Sequence, residues 1–170
     1  MSKQHVMLDL ETMGTSHDAA IVAIGAVEFD KDGIKSEFYE TIDLNDSAKY
    51  GEIDASTVLW WMNQNDGARS EITSADKTLY NALMMFDQWL PKSACVWGNG
   101  SDFDNVILAN AYDALGMHQP WLLKNNRCFR TVKNMQPKLK LERIGTYHNA
   151  LDDASYQCTY LRMLEVITYE

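Results

Sequence analysis

The first forty residues carry strand-like patterns. Val6 to Leu10 is a short apolar run and predicts a first strand. AAIVAIGAVEFD, Ala19 to Asp30, is apolar and partly β-branched and predicts a second. DKDG, Asp30 to Gly33, is a turn signal, and Lys35 to Leu44 alternates loosely as a third strand. Three strands with short connections predict an antiparallel meander. The DxDG fragment matches half of a calcium loop, but Thr41 stands where the glutamate of the twelfth position is needed, so a hairpin turn is the reading.

Helical spacing then takes over. Asp54 to Gln64 opens with capping residues and places Val58, Trp61 and Met62 on one face. The stretch from Ser74 to Pro91 sets Leu79, Leu83, Phe86 and Leu90 on one face, an amphipathic helix that ends near the proline. ACVWGNG, Ala94 to Gly100, predicts a short buried strand running into a glycine turn. Phe103 to Gly116 predicts a helix closed by Gly116, and NRCFRTVKNM a last short strand. His148 to Ile167 predicts the final helix, with Leu151, Ala154, Cys158, Leu161 and Leu164 or Val166 facing inward. With no internal repeat and no Ser/Gly-rich linker, residues 1–170 read as one α/β domain.

Composition narrows the classes. At 46% apolar residues, disorder over most of the chain is excluded. A net charge of -9, from 24 acidic against 15 basic residues, disfavours a broad electrostatic grip on a duplex. Part of the acidic excess is accounted for if a local cluster binds divalent cations. Cys95, Cys128 and Cys158 are scattered and odd in number, which fits reduced thiols in a cytoplasm better than a disulfide framework. The first twenty residues carry no signal-peptide pattern, and no apolar run is long enough to span a bilayer, so no membrane role is expected.

Against this background Asp9 and Glu11 stand out. They lie two apart in an apolar strand and so share one face. Two like charges that close survive if water reaches them, if they share a proton, or if a cation lies between them. Asp104 sits where a helix begins at the end of a strand, a place that also suits an ordinary first-turn charge. His148 precedes Asp153 by five residues, which on one helix would turn the two side chains roughly 140° apart. If His148 lies in the loop before the helix, both can face one spot. Oxygen ligands with few nitrogen or sulfur donors suit Mg²⁺ or Mn²⁺ rather than Zn²⁺. Two such ions about 4 Å apart stabilise the attacking and leaving oxygens of a phosphodiester displacement.

DLETMGT from Asp9, NGSDFD from Asn99 and HNALDD from His148 resemble, in order, the three motifs of the DEDDh 3′–5′ exonucleases. The DLET opening, the apolar second strand and the WW helix look most like the branch that includes phage exodeoxyribonuclease A and a mycobacterial exoribonuclease. The resemblance implies an RNase H-like fold, a central mixed five-stranded sheet flanked by helices. It implies that Asp9, Glu11 and Asp153 hold a first Mg²⁺ or Mn²⁺. Asp9 would bridge to a second, with Asp104 bound directly or through water. His148 would be general base on the attacking water, a role that suits histidine because an unperturbed imidazole, with a pKa of about 6.5, accepts a proton at neutral pH. Thr12, Met13, Phe103 and Asn99 would contact the terminal nucleotide of a single-stranded 3′ end. The product would be a 5′-mononucleotide. Branch similarity leans toward DNA over RNA, and the family includes homodimers.

Motif spacing alone selects Asp153 over Asp152, and the preceding aromatic favours Asp104 over Asp102, whose other reading is a helix N-cap. Trp60, Trp61, Trp89 and the methionines read as core or flank packing, with Trp60 or Trp61 a candidate to stack on a base. His5, His17 and His118 read as solvated. Lys138, Lys140 and Arg143, like Arg127 and Arg130, read as a solvated loop or a contact to the substrate backbone. Two other functions compete: an RNase H-type endonuclease, and a non-catalytic module that binds nucleic-acid ends or a protein.

Overall fold

A computed structural model describes residues 4–136, 139–142, 145 and 147–165. Five strands form one mixed sheet: β1 (His5–Thr12), β2 (Ile21–Phe29), β3 (Ile34–Thr41), β4 (Cys95–Gly98) and β5 (Asn126–Cys128). Their order across the sheet is β3-β2-β1-β4-β5. The expected meander is present, with β1–β2 and β2–β3 antiparallel. β4 and β5 add in parallel beyond β1. β1 is therefore central, and all eight of its residues are buried.

Alternation divides β1 between two layers. Val6, Leu8 and Leu10 face one apolar cluster, closed by Leu79, Leu83 and Phe86 of α4 (Leu79–Trp89) and by Ile107, Leu108 and Tyr112 of α5 (Asp104–Ala114). The Tyr112 hydroxyl donates to the Leu83 carbonyl at 2.9 Å and ties these helices together. Met7 faces the other side, with Val27, Phe29, Trp97 and Phe129. That side is covered by Ala154, Cys158 and Leu161 of α7 (Ala150–Met163). Each fully buried aliphatic or aromatic side chain contributes about 1.5–3 kcal/mol. Asp9 and Glu11 belong to this second face by parity.

Several elements differ from the sequence reading. The third strand stops at Thr41, because Asp43 caps the short helix α1 (Leu44–Ser47), accepting from the Asn45 N–H at 2.9 Å. The helix expected from Ser74 starts at Leu79, where the Thr78 side chain caps it. The WW helix is α2 (Ala55–Met62), capped by Asp54, and a further helix, α3 (Asp66–Thr73), follows it. Only Ala68 and Ile72 of α3 are buried, and its Gly67 and polar residues hid it from pattern reading. The stretch read as a last strand pairs over three residues only, then turns into α6 (Phe129–Met135). Gly116 follows the end of α5 with φ +66, as expected of a helix-stopping glycine. Leu151, Ala154, Cys158, Leu161 and Leu164 of the final helix face the second cluster; Val166 lies outside the described residues.

His5 is a correction. It is 2% exposed, and its Nδ1 accepts from Trp97 Nε1 at 3.0 Å, so it is a satisfied core histidine. His17 and His118 are exposed. Trp61 and Trp89 pack as expected, and Met7 and Met13 are buried. Met62, Met85, Met135 and Met163, all on helices, are exposed instead.

Gly25 sets the position of α7. It pairs with Asp9 on one side and Tyr39 on the other, so the three residues form a row across the face that α7 covers. A Cβ at Gly25 would lie 2.2 Å from the Ala150 carbonyl carbon and 2.3 Å from the Leu151 nitrogen. The missing side chain lets the first turn of α7 rest on the sheet between Asp9 and Tyr39.

Candidate active site

The site is assembled where that first turn meets β1. Asn149 caps α7, its Oδ1 accepting from the N–H groups of Leu151 and Asp152 at 3.1 and 3.0 Å. His148 lies just before the cap, in the loop, with φ +63. That turn removes the helical divergence between His148 and Asp153. Glu11, His148 and Asp153 each offer an atom within 4.8 Å of the others.

Asp9 and Asp104 join this cluster through the field that Asp9 shares with Glu11, Asp153 and Asp104. Asp104, the first residue of α5, is 2% exposed. Its carboxylate accepts from the Leu10 N–H at 3.2 Å and the Asn99 N–H at 2.8 Å, which binds the helix start to β1 and to the end of β4. Burial pushes this carboxyl up to about 7, against the opposing pull of those two N–H groups. Burial also pushes the Asp9 carboxyl well above the usual range, and the charges of Asp104, Glu11 and Asp153 push it further. The Gln157 amide opposes them, donating to Asp9 Oδ1 at 2.7 Å.

Asp9, buried and within the fields of three further carboxylates, is an arrangement that a bound cation would relieve. The donor set fits hard divalent ions. It offers carboxylate oxygens and one imidazole, and thiolates are absent from it. The Gln157 Oε1 atom is also buried without a hydrogen-bond partner and lines the same cavity, an acceptor left over for an ion or its water.

Two clefts meet at Glu11. One, of about 300 Å³, is lined by Asp9, Glu11, Asn99, His148, Asp153 and Gln157 among others. The second, of about 400 Å³, is lined by Glu11, Thr12, Gly14, Trp60 and Phe103. Trp60 is 42% exposed, and its ring meets His148 edge to face with centroids 4.6 Å apart. Trp61 is buried and donates from Nε1 to the Thr12 carbonyl at 2.9 Å, fixing the wall of the second cleft.

Of the residues named from sequence, Asp9, Glu11, Asp104, Asp153 and His148 come together, with Asn99, Thr12 and Phe103 on the cleft walls. Met13 lines neither cleft; it packs with Ala20, Val22, Trp61 and Ile72. Asp152 turns toward Gly145, its carboxyl carbon 2.7 Å from where a Cβ would sit. Asp102 is exposed and does not cap α5, whose cap position is Phe103. Arg130 donates to the Asn99 carbonyl at 2.6 Å, holding the turn after β4, while Arg127 donates to the carbonyls of Lys124 and Asn126. Lys140 is exposed; Lys138 and Arg143 lie outside the described residues. Sequence reading missed Gln157 and Lys133, which also line the first cleft. Gln157 had a signal, since it is polar among the inward positions Ala154, Cys158 and Leu161. Lys133 had none, because α6 was not foreseen.

A mixed sheet carrying this cluster at the junction of a central strand and a returning helix is the RNase H-like fold of DEDDh exonucleases. The chain belongs to the Rv2179c-like 3′–5′ exoribonuclease domain family, whose model matches residues 4–165. It is also similar to the exodeoxyribonuclease of Enterobacteria phage T4, 26% identical over 125 residues, 61% of this chain and 53% of that protein. The chain thus spans about half the length of this curated relative. Among solved structures it resembles E. coli exonuclease I in complex with a dT13 oligonucleotide, with TM-score 0.69, 12% identity, and coverage of 98% of this chain and 42% of the other. The nuclease domain of 3′hExo, a DEDDh family member bound to rAMP, matches with TM-score 0.65, 14% identity, and coverage of 97% and 93%. At these identities the two structures bear on the fold.

Proposed function

We propose that residues 1–170 act as one metal-dependent 3′–5′ exonuclease domain that hydrolyses the last phosphodiester of a single-stranded nucleic acid and releases a 5′-mononucleotide. The observation that carries this reading is the convergence of Glu11, His148 and Asp153 within 4.8 Å, with Asp9 inside the fields of Glu11, Asp104 and Asp153. A binding module has no use for such a cluster, which repels phosphate unless cations fill it.

Asp9, Glu11 and Asp153 would hold one Mg²⁺ or Mn²⁺, and Asp9 with Asp104 a second. When bound, such ions supply the positive charge that stabilises the attacking and leaving oxygens of an in-line displacement. Gln157 orients Asp9 through its 2.7 Å hydrogen bond, which favours the ionised carboxylate against burial and the neighbouring charges. His148 accepts the proton of the attacking water as general base. Phe103 and Trp60 flank the terminal nucleotide in the larger cleft, where Thr12 forms the floor. Asn99, on the wall of the smaller cleft, would face the reacting phosphate.

DNA is proposed ahead of RNA, on the likeness to the phage enzyme. A second reading, favouring RNA, has the family model's description behind it. Cytoplasmic action is proposed on the three free cysteines; no helix among the described residues is long and apolar enough to cross a membrane. Homodimer formation is kept as a proposal from the family resemblance.

The test is mononucleotide release from matched DNA and RNA oligonucleotides. Activity should vanish in EDTA, return with Mn²⁺ or Mg²⁺, and stop at a 3′-terminal block. Cleavage that continues past the block would instead mark an endonuclease. Retention of a 3′ end without cleavage in Mn²⁺ would mark a binding module.

A further inference from the structure

The strained residue of the site is His148. Its φ of +63 is a left-handed conformation that side-chain-bearing residues rarely adopt, so the neighbours must hold it. The next residue shows how. Asn149 spends its Oδ1 on the cap of α7, which fixes the amide and turns its NH₂ group away from the helix. That group donates to Glu71 Oε2 at 2.8 Å and reaches the Tyr39 hydroxyl at 3.3 Å. The Tyr39 hydroxyl donates to the same Glu71 oxygen. Glu71 belongs to α3 and Tyr39 to β3, so two distant elements grip the loop end. Trp60 of α2 closes the third side against the imidazole.

We infer that Glu71 is a positioning residue for His148, acting through Asn149. Its Oε2 accepts from the Asn149 amide and from the Tyr39 hydroxyl that the same amide reaches, and the amide sets the backbone from which His148 reaches the carboxylates. The inference rests on the reading of His148 as general base. Because Glu71 lies outside the carboxylate cluster, its loss should leave cation binding intact and misplace only the base.

The hydrogen-bond polarity supplies the test. Asn149→Asp keeps an oxygen for the cap but sets a carboxylate against Glu71. With a single-stranded oligonucleotide and Mn²⁺, kcat should fall roughly tenfold or more, while KM and calorimetric Mn²⁺ affinity stay at parental values. Adding Glu71→Gln reverses the donor: the new amide donates to the new carboxylate and still accepts from Tyr39, so kcat should recover. Asn149→Asp with Glu71→Ala balances the charge without the bond and should stay slow. Glu71→Ala alone, at an exposed position the fold tolerates, tests the same bond with the cap untouched and should also lower kcat. Recovery in the alanine pair, or none in the glutamine pair, would overturn the inference. So would parental kcat in Asn149→Asp or in Glu71→Ala. His148→Asn runs alongside. Parental kcat in that variant removes the general-base reading itself. A slow His148→Asn with no response to the Glu71 and Asn149 changes removes only the role of Glu71.

Discussion

Gly25→Ala places a methyl group under the first turn of α7. The added carbon would stand 2.2 Å from the Ala150 carbonyl carbon and 2.5 Å from its oxygen, where ordinary contact begins at 3.4 Å. The obstacle is backbone, so it cannot rotate aside, and the helix start must retreat by about 1.2 Å, the difference between those distances. His148 and Asp153 ride on that turn, while Asp9 and Glu11 stay on the strand. A displacement of about 1 Å at a catalytic centre costs on the order of 10²-fold in rate. Overpacking of this kind costs about 1–3 kcal/mol of stability, which for a chain of this size lowers Tm by roughly 2–12 °C. Single-turnover release of mononucleotides and thermal unfolding followed by circular dichroism measure the two effects. A variant with the parental rate and Tm would refute the claim that the bare row beside Asp9 places the helix.

Three further outcomes follow from the carboxylates and their partners. The Asp104 carboxyl is raised from 3.8 to about 7 by burial, so in EDTA the folded state holds this proton more tightly than the unfolded one. The stability it brings is complete at low pH and is lost as pH rises through about 7, by up to about 4 kcal/mol at 1.36 kcal/mol per pH unit. Urea titrations in EDTA from about pH 4 to about pH 8 should show that decline; Asp104→Asn should make it shallower, with the raised Asp9 carboxyl supplying the remainder, and an equal slope in both proteins would sink the idea. Gln157→Leu removes the donor at 2.7 Å from Asp9, and Mn²⁺ affinity by calorimetry should weaken roughly 10–100-fold; an unchanged Kd contradicts this role. Trp60→Ala opens the wall of the larger cleft, and the loss of one stacking contact, worth about 1–3 kcal/mol, should raise KM; a KM equal to the parent's would place the terminal base elsewhere.

How far the sequence could be read depends on how local each signal is. β1, β2 and α7 carry long apolar patterns, and their existence and type were legible even where their ends were not. The three acidic motifs were legible because each packs its chemistry into a few consecutive residues. α3 was not, because DGARSEIT buries only two side chains and contains a glycine. His5 reads as solvated from sequence because no acidic or cysteine residue lies at ligand spacing from it, although it continues the same face as Met7 and Asp9. The residues that hold the site together were the least visible. Gln157 meets Asp9 across 148 positions, and Asn149 meets Glu71 across 78. Contacts that distant leave no periodicity, and only the folded sheet brings Tyr39, Gly25 and Asp9 into one row.

The proposed activity requires that the acidic side chains meet over cations. Anomalous diffraction from crystals soaked in Mn²⁺ would answer it. Two manganese peaks are expected, one among Asp9, Glu11 and Asp153 and one between Asp9 and Asp104. Crystals saturated with manganese that show no peak within reach of Asp9 would contradict the account.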